Sequence, residues 1–233
     1  MCDSVEKARS RLIEGAYTCV LLHNGEEYHS FERGVKPLID LLKTEKTFVG
    51  SVAADKTVGA GAAHLYVLLG TKALWANIIS ESALRVLKDN GIEVSYGECV
   101  PYIMNRKGDG TCPIESAVAE AKSSADAYLL ILSALEDLRK KQDRSFAVAA
   151  FKALADDNRL EIMEMLKERE RCGCELLASL NIGQSTLSHH MHVLCEAGLV
   201  CARKAGKWMH YSISSDGVQM LHRISCGYNK VNL

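Results

Sequence analysis

Cys172-Gly173-Cys174 sets two thiols one residue apart, just ahead of Glu175–Leu180, a stretch with helical patterning. Thiolates are soft ligands suited to thiophilic ions, and a helix N-terminus favours the thiolate over the thiol. Ten residues on from Cys174, the side chains are polar rather than nucleophilic. Gln184, Ser185, Thr186, Ser188 and His189 crowd the start of another amphipathic stretch. Such groups hydrogen-bond to base edges and phosphates. Arg203, Lys204, Lys207 and His210 then fall within eight residues that hold no acid, a composition suited to a polyanion. In the first half, Asp55, Lys56, Glu81, Asn105, Arg106, Cys112 and Glu115 fall at strand-to-helix junctions or in a long loop. Ligands collect at such edges of α/β sheets, so these seven form a candidate ligand pocket. None of the residues is assigned a catalytic role.

The elements that must position the second-half groups are mainly helical. Residues 147–154 read as a short helix, and Asp156 or Asp157 caps the next, 159–170, with Leu160, Met163 and Leu166 on one face. Residues 175–180 form a third helix, and Asn181-Ile182-Gly183 turns the chain into a fourth, 184–197, closed by Gly198. Leu187, Met191 and Leu194 recur at three- and four-residue steps and pack this helix inward. Strands at 199–201 and 209–213 flank the basic turn 203–207, and a last helix covers 217–227. Helix, turn, polar-headed helix and basic hairpin, in that order, describe a winged helix-turn-helix that binds double-stranded DNA.

In the first half, a strand over 16–22 turns at His23-Asn24-Gly25-Glu26 into a partner over 27–31. A helix over 35–43 has Pro37 in its first turn. Strand 47–53, helix 58–69, strand 73–79, a helix capped by Ser80 and ended by Gly91, and strand 92–96 follow. This alternation predicts a three-layer α/β sandwich with a mixed sheet. Residues 99–114 form a long loop, and 114–141 are helical, ending in the charged run 139–144. The domains are thus 1–122, a helical linker 123–144, and 145–233. Both a continuous helix and a flexible linker fit the junction.

The net charge of −1 hides an asymmetry: residues 144–233 hold eleven Lys/Arg against nine Asp/Glu. The first fifteen residues lack the apolar stretch of a secretory signal, and no apolar run reaches the ~18–20 residues of a membrane span. A cytoplasmic protein without membrane association is expected. Nine cysteines in a reducing compartment do not predict a disulfide framework, and Cys19 and Cys201 read as small core residues.

Four segments resemble the ArsR/SmtB family of metal- and metalloid-responsive repressors: 151–160, 185–191, 196–200 and 203–211. The likeness covers about residues 145–215. It implies a homodimer built on the first and last helices of this domain, which binds a palindromic operator and leaves it when an inducer binds. Cys172 and Cys174 stand where arsenic-responsive and cadmium/lead-responsive members carry a Cys-x-Cys, which implies As(III), Sb(III), Cd(II) or Pb(II) as inducer and no permanently bound cofactor. The arsenic pattern often adds a third Cys three residues on, where this chain has Leu177, leaving Cys195, Cys226 or the first domain to supply one. Other members place a metal on the last helix. Here Asp216, His222 and Cys226 stand there without the doubled ligand pattern, so His222 reads as a surface residue and Cys226 as core.

Residues 54–63, 100–106 and 112–115 resemble an uncharacterised prokaryotic family with a cytidine-deaminase-like fold, over about residues 10–120. A zinc deaminase needs His or Cys, x, Glu opening one helix and Pro-Cys-x-x-Cys opening the next. The helix starts read here are Lys56-Thr57-Val58 and Ser80-Glu81-Ser82, so hydrolytic zinc deamination is not expected, and the protein is read as a regulator rather than an enzyme. The leading expectation is a metal-released repressor. The alternatives are a regulator responding to redox state or to a small molecule in the first domain, and a nucleotide- or thiol-processing enzyme tethered to DNA.

Overall fold

A computed structural model describes residues 2–227, and the chain divides into two compact units, Met1–Asp137 and Leu138–Leu233. The first unit opens with a helix that the sequence analysis did not anticipate, α1 (Cys2–Glu14). Its charged composition hides two apolar positions four apart, Ala8 and Leu12, both fully buried. β1 (Cys19–His23) and β2 (Glu26–Ser30) form the expected hairpin. Asn24 and Gly25 both have positive φ, 50° and 83°, as the tightest two-residue hairpin turn requires. α2 (Lys36–Leu42), β3 (Val52–Val58), α3 (Ala60–Leu69), β4 (Ala73–Ser80), α4 (Glu81–Asp89) and β5 (Glu93–Val100) follow.

The sheet order is β2-β1-β3-β4-β5, with β1 antiparallel to both neighbours and β3, β4 and β5 parallel. The strands alternate faces, as extended chains must. Val20, Val52, Ala54 and Trp75 pack under α1, whereas Leu21, Ala53, Leu74 and Ala76 pack with α3 residues Leu65 and Tyr66 in the larger core. Two expectations shift. The segment 47–51 is not strand: β3 begins at Val52 and contains Lys56, Thr57 and Val58, so α3 starts after Gly59 rather than at Val58. Residues 114–141 are not one helix either. α5 (Pro113–Ala117) is followed by a break and then by α6 (Ser124–Leu154). α6 runs unbroken through the charged run, so the predicted helix 147–154 is its last part.

In the second unit, α7 (Asp157–Glu168) is capped by Asp156, which accepts the Arg159 N–H at 3.0 Å. Its buried face carries Ile162 and Leu166, whereas Leu160, expected inside, is 46% exposed. A two-residue strand, β6 (Arg171–Cys172), precedes α8 (Gly173–Ser179). α9 (Gln184–Glu196), β7 (Val200–Ala205), β8 (Trp208–Ile213) and α10 (Ser215–Gly227) complete the unit. Leu187, Met191 and Leu194 bury the inner face of α9 against Ile162, Leu166 and Leu176. No helix among the described residues is long and apolar enough to cross a membrane.

Candidate nucleic-acid interface

α9 is amphipathic, and its inward anchors leave Gln184, Ser185, Thr186, Ser188 and His189 exposed together on its first two turns. These are the five residues the sequence assigns to base and phosphate contacts. His190 is the exception on this turn, only 6% exposed. Its Nδ1 lies 3.7 Å from the Asp156 carboxylate and 3.5 Å from the Arg159 guanidinium. Arg159 also donates to the Lys152 and Ala153 carbonyls. One polar cluster therefore ties the end of α6, the start of α7 and α9 together.

β7 and β8 form a hairpin around Gly206, whose φ of 62° closes the turn. Lys204 and Lys207 are exposed, Lys207 lying over the Trp208 ring at 5.3 Å. Arg203 and His210 face each other across the hairpin, both near one carboxylate. The same Glu170 oxygen lies 2.7 Å from Arg203 and 3.6 Å from His210. Neither Glu170 nor β6 is anticipated by the sequence analysis, because a two-residue strand carries no periodicity.

Cys172 ends β6, pairs with His210 of β8, and caps α8. Its sulfur accepts the Glu175 N–H at 3.3 Å, while the Glu175 carboxylate accepts the Cys172 N–H at 2.8 Å. Arg169 grips the same carboxylate at 2.7 Å, and this pairing, with the Cys172 N–H behind it, pulls the Glu175 pKa down to about 2. Cys172 is joined to Cys174 by a disulfide with Cα atoms 5.4 Å apart, where the sequence analysis reads two free thiols. A spacing of one residue at a helix start brings the sulfurs within bonding reach. The same proximity lets both reach one ion once reduced. Among the described residues no three His, Cys, Asp or Glu side chains converge as a metal site, so the pair gathers no third ligand locally. Cys195 is half-buried, its thiol pushed up by burial and then by Cys201. Cys201 and Cys226, both expected in the core, are exposed: the outer positions of β7 and the last turn of α10 lie at the surface of this unit. The Cys226 sulfur lies 3.6 Å from His222.

In the first unit the seven candidate pocket residues do not converge. Asp55 accepts the Thr57 N–H and the Tyr66 hydroxyl at 2.9 and 2.8 Å, and burial pushes its pKa up to about 7. Cys19 on β1 is its partner in register, buried as expected, with its thiol pushed up to about 12 by burial and then by Asp55. Lys56 donates to the Ala16 carbonyl at 3.1 Å, and Glu81 and Arg106 are exposed. Asn105 closes its own turn, donating to Asp109 and accepting from Lys107 N–H. Cys112 caps α5 by position without a side-chain hydrogen bond. Glu115 is buried, accepting from Ser82 at 2.5 Å and from the Ile103 N–H at 2.8 Å. It alone of the seven lines a groove of about 910 Å³, with His64, Ser82, Arg85, Tyr102 and Lys122. His64 is 8% exposed, held through Nδ1 to Ser124 at 3.1 Å, and burial lowers its pKa. Apart from Glu115, these groove residues are not legible in the sequence, because the fold brings them together from α3, α4 and the loops around Tyr102 and Lys122.

Comparison with known proteins matches residues 7–135 to a domain of unknown function, DUF1893, and residues 156–201 to the bacterial regulatory protein arsR family. An HTH-type transcriptional regulator of Methanocaldococcus jannaschii is 39% identical over 79 residues, which are 34% of this chain and 89% of that protein. The arsenical resistance operon repressor of Escherichia coli is 44% identical over 68 residues, 29% of this chain. The chain spans 58% of that repressor's length. A DUF1893 family protein from Thermotoga maritima superposes with a TM-score of 0.54 at 25% identity, covering 57% of this chain and 90% of that one. The chain therefore belongs to the DUF1893 family in its first half and to the arsR family of bacterial regulatory proteins in its second.

Proposed function

We propose that this protein is a homodimeric transcriptional repressor that leaves its operator when its reduced cysteine pair binds As(III), Sb(III), Cd(II) or Pb(II). The observation that carries this reading is the position of Cys172. It caps the first helix of the helix-turn-helix and pairs in register with the wing strand, so a change at its sulfur acts on both DNA-contacting parts. Backbone N–H groups at the start of α8 favour the thiolate that such ions require. Reduced, Cys172 and Cys174 would hold the ion through their two sulfurs, with any further ligand coming from outside this pair. Val148 and Phe151 on α6 and Val218 on α10 are exposed apolar residues that a dimer would cover.

The test uses the reduced full chain and a DNA duplex selected from a random pool, followed by fluorescence anisotropy. Binding, then release on adding arsenite, antimonite, cadmium or lead, is expected. Failure to bind any duplex contradicts the DNA reading, and binding that none of the ions reverses contradicts the inducer.

Two observations favour a second reading, in which the signal is redox state or a small molecule. The disulfide between Cys172 and Cys174 gives the same position an oxidised state, from which an external dithiol would regenerate both thiols while itself becoming a disulfide. In the first unit, the groove around Glu115 and His64 carries two cations, Arg85 and Lys122, beside Asp89. DNA release on oxidation alone, or on adding a cell metabolite extract to protein with both cysteines blocked, would favour this reading.

A further inference from the structure

Glu170 joins three features that the proposed function treats separately. It immediately precedes β6, it lies two residues before Cys172, and it binds the wing. Its Oε1 accepts from Arg203 at 2.7 Å and lies 3.6 Å from His210, and these two residues are directly opposite each other on β7 and β8. An exposed arginine beside a carboxylate is satisfied in the way it would be by a phosphate oxygen, since both are anionic acceptors. Lys204, the next residue on β7, has no acidic partner among the described residues, so the pairing selects part of the wing and not all of it.

We propose that Glu170 is a built-in competitor for DNA phosphate: in the free protein it occupies Arg203, beside His210, and DNA must displace it to use that arginine. This rests on the reading of the hairpin as a DNA-contacting wing. The competitor is weak by construction. Arg203 and Glu170 side chains are 63% and 38% exposed, and such pairs are worth at most about 1 kcal/mol, roughly a two- to five-fold effect on binding. That size suits a device that must yield to the operator. The β6–β8 ladder fixes its position: Arg171 pairs with Tyr211 and Cys172 with His210, so a displacement of Cys172 is carried to Glu170 over two residues.

The experiment measures DNA affinity of the reduced full chain across a salt series for five variants: Glu170→Gln, Glu170→Asp, Arg203→Ala, the Glu170→Gln/Arg203→Ala double, and Lys204→Ala. Glu170→Gln should bind about two- to five-fold more tightly. The gain should vanish in the Arg203→Ala background, a dependence that a merely structural role for Glu170 would not produce. Glu170→Asp, which keeps the charge but shortens the reach, should fall between wild type and Glu170→Gln. It also serves if Glu170→Gln unfolds. Unchanged or weaker binding by the folded Glu170 variants, with Lys204→Ala still weakening binding, overturns the competitor and leaves the wing intact. If Lys204→Ala and Arg203→Ala both leave affinity unchanged, the wing reading fails and the competitor with it.

Discussion

Lys204 and Gln184 differ in what each can read on DNA, and their variants should separate the two kinds of contact. Lys204→Ala should weaken binding by a similar factor on every duplex and flatten the salt dependence by about one phosphate contact. Gln184→Ala or Ser188→Ala should instead change which duplexes are preferred. Selection from a random pool, repeated at two salt concentrations, reads both effects. Two carboxyl groups make opposite pH predictions. Glu175 has a pKa lowered to about 2, chiefly by Arg169 and then by the Cys172 N–H. Its contribution to stability is therefore present above the ordinary value of 4.5 and lost as pH falls toward 2. Asp55 is raised from 3.8 to about 7 by burial, so the stability it contributes is present below pH 4 and lost as pH rises through 7. Urea melts of Glu175→Gln should show a shallower acid-side decline, and those of Asp55→Asn a shallower decline between pH 4 and 8. A wild-type pH profile in either variant contradicts the corresponding assignment.

The turn from α9 into β7 and the start of α10 depend on a close backbone approach. Gly198 closes α9 with φ of 72°, and Leu199 N–H returns to the Leu194 carbonyl at 3.0 Å. A Cβ on Gly217 would lie 2.0 Å from the Gly198 carbonyl oxygen, so the first turn of α10 fits only without a side chain. Gly217→Ala should cost about 1–3 kcal/mol in denaturant melts. An unchanged midpoint would mean that α10 sits elsewhere. Elements of this kind also mark how far the sequence could be read. The Asn24-Gly25 hairpin, the Ser80 cap and the Leu187, Met191, Leu194 face were legible because turn chemistry and helical period act locally. α1 is hidden in the sequence because its apolar face is narrow, and β3 begins later than its residue types suggest because residues 47–50 are strand-like without a partner strand. The five exposed residues of α9 were legible from type and spacing. Glu170 and the Glu115 groove were not, since each depends on residues brought together across the fold.

At the scale of the whole molecule, the chain joins a DUF1893 domain to an arsR-family DNA-binding domain, and the central claim is that a chemical event at two sulfurs changes DNA affinity. Linkage sets what this requires. An inducer shifts the DNA equilibrium only through its different affinity for the free and DNA-bound forms. Removing either sulfur should delete that difference while leaving α9 and the hairpin as they are. Two local thiolates also predict a stronger response to ions content with mixed ligands than to arsenite, which favours three sulfurs. The most direct measurement is a fluorescence-anisotropy titration of the selected duplex with reduced wild type, Cys172→Ser and Cys174→Ser, at rising arsenite, antimonite and cadmium. All three proteins should bind DNA with similar affinity, and only the wild type should be released. Release of both serine variants at wild-type ion concentrations would contradict the central claim.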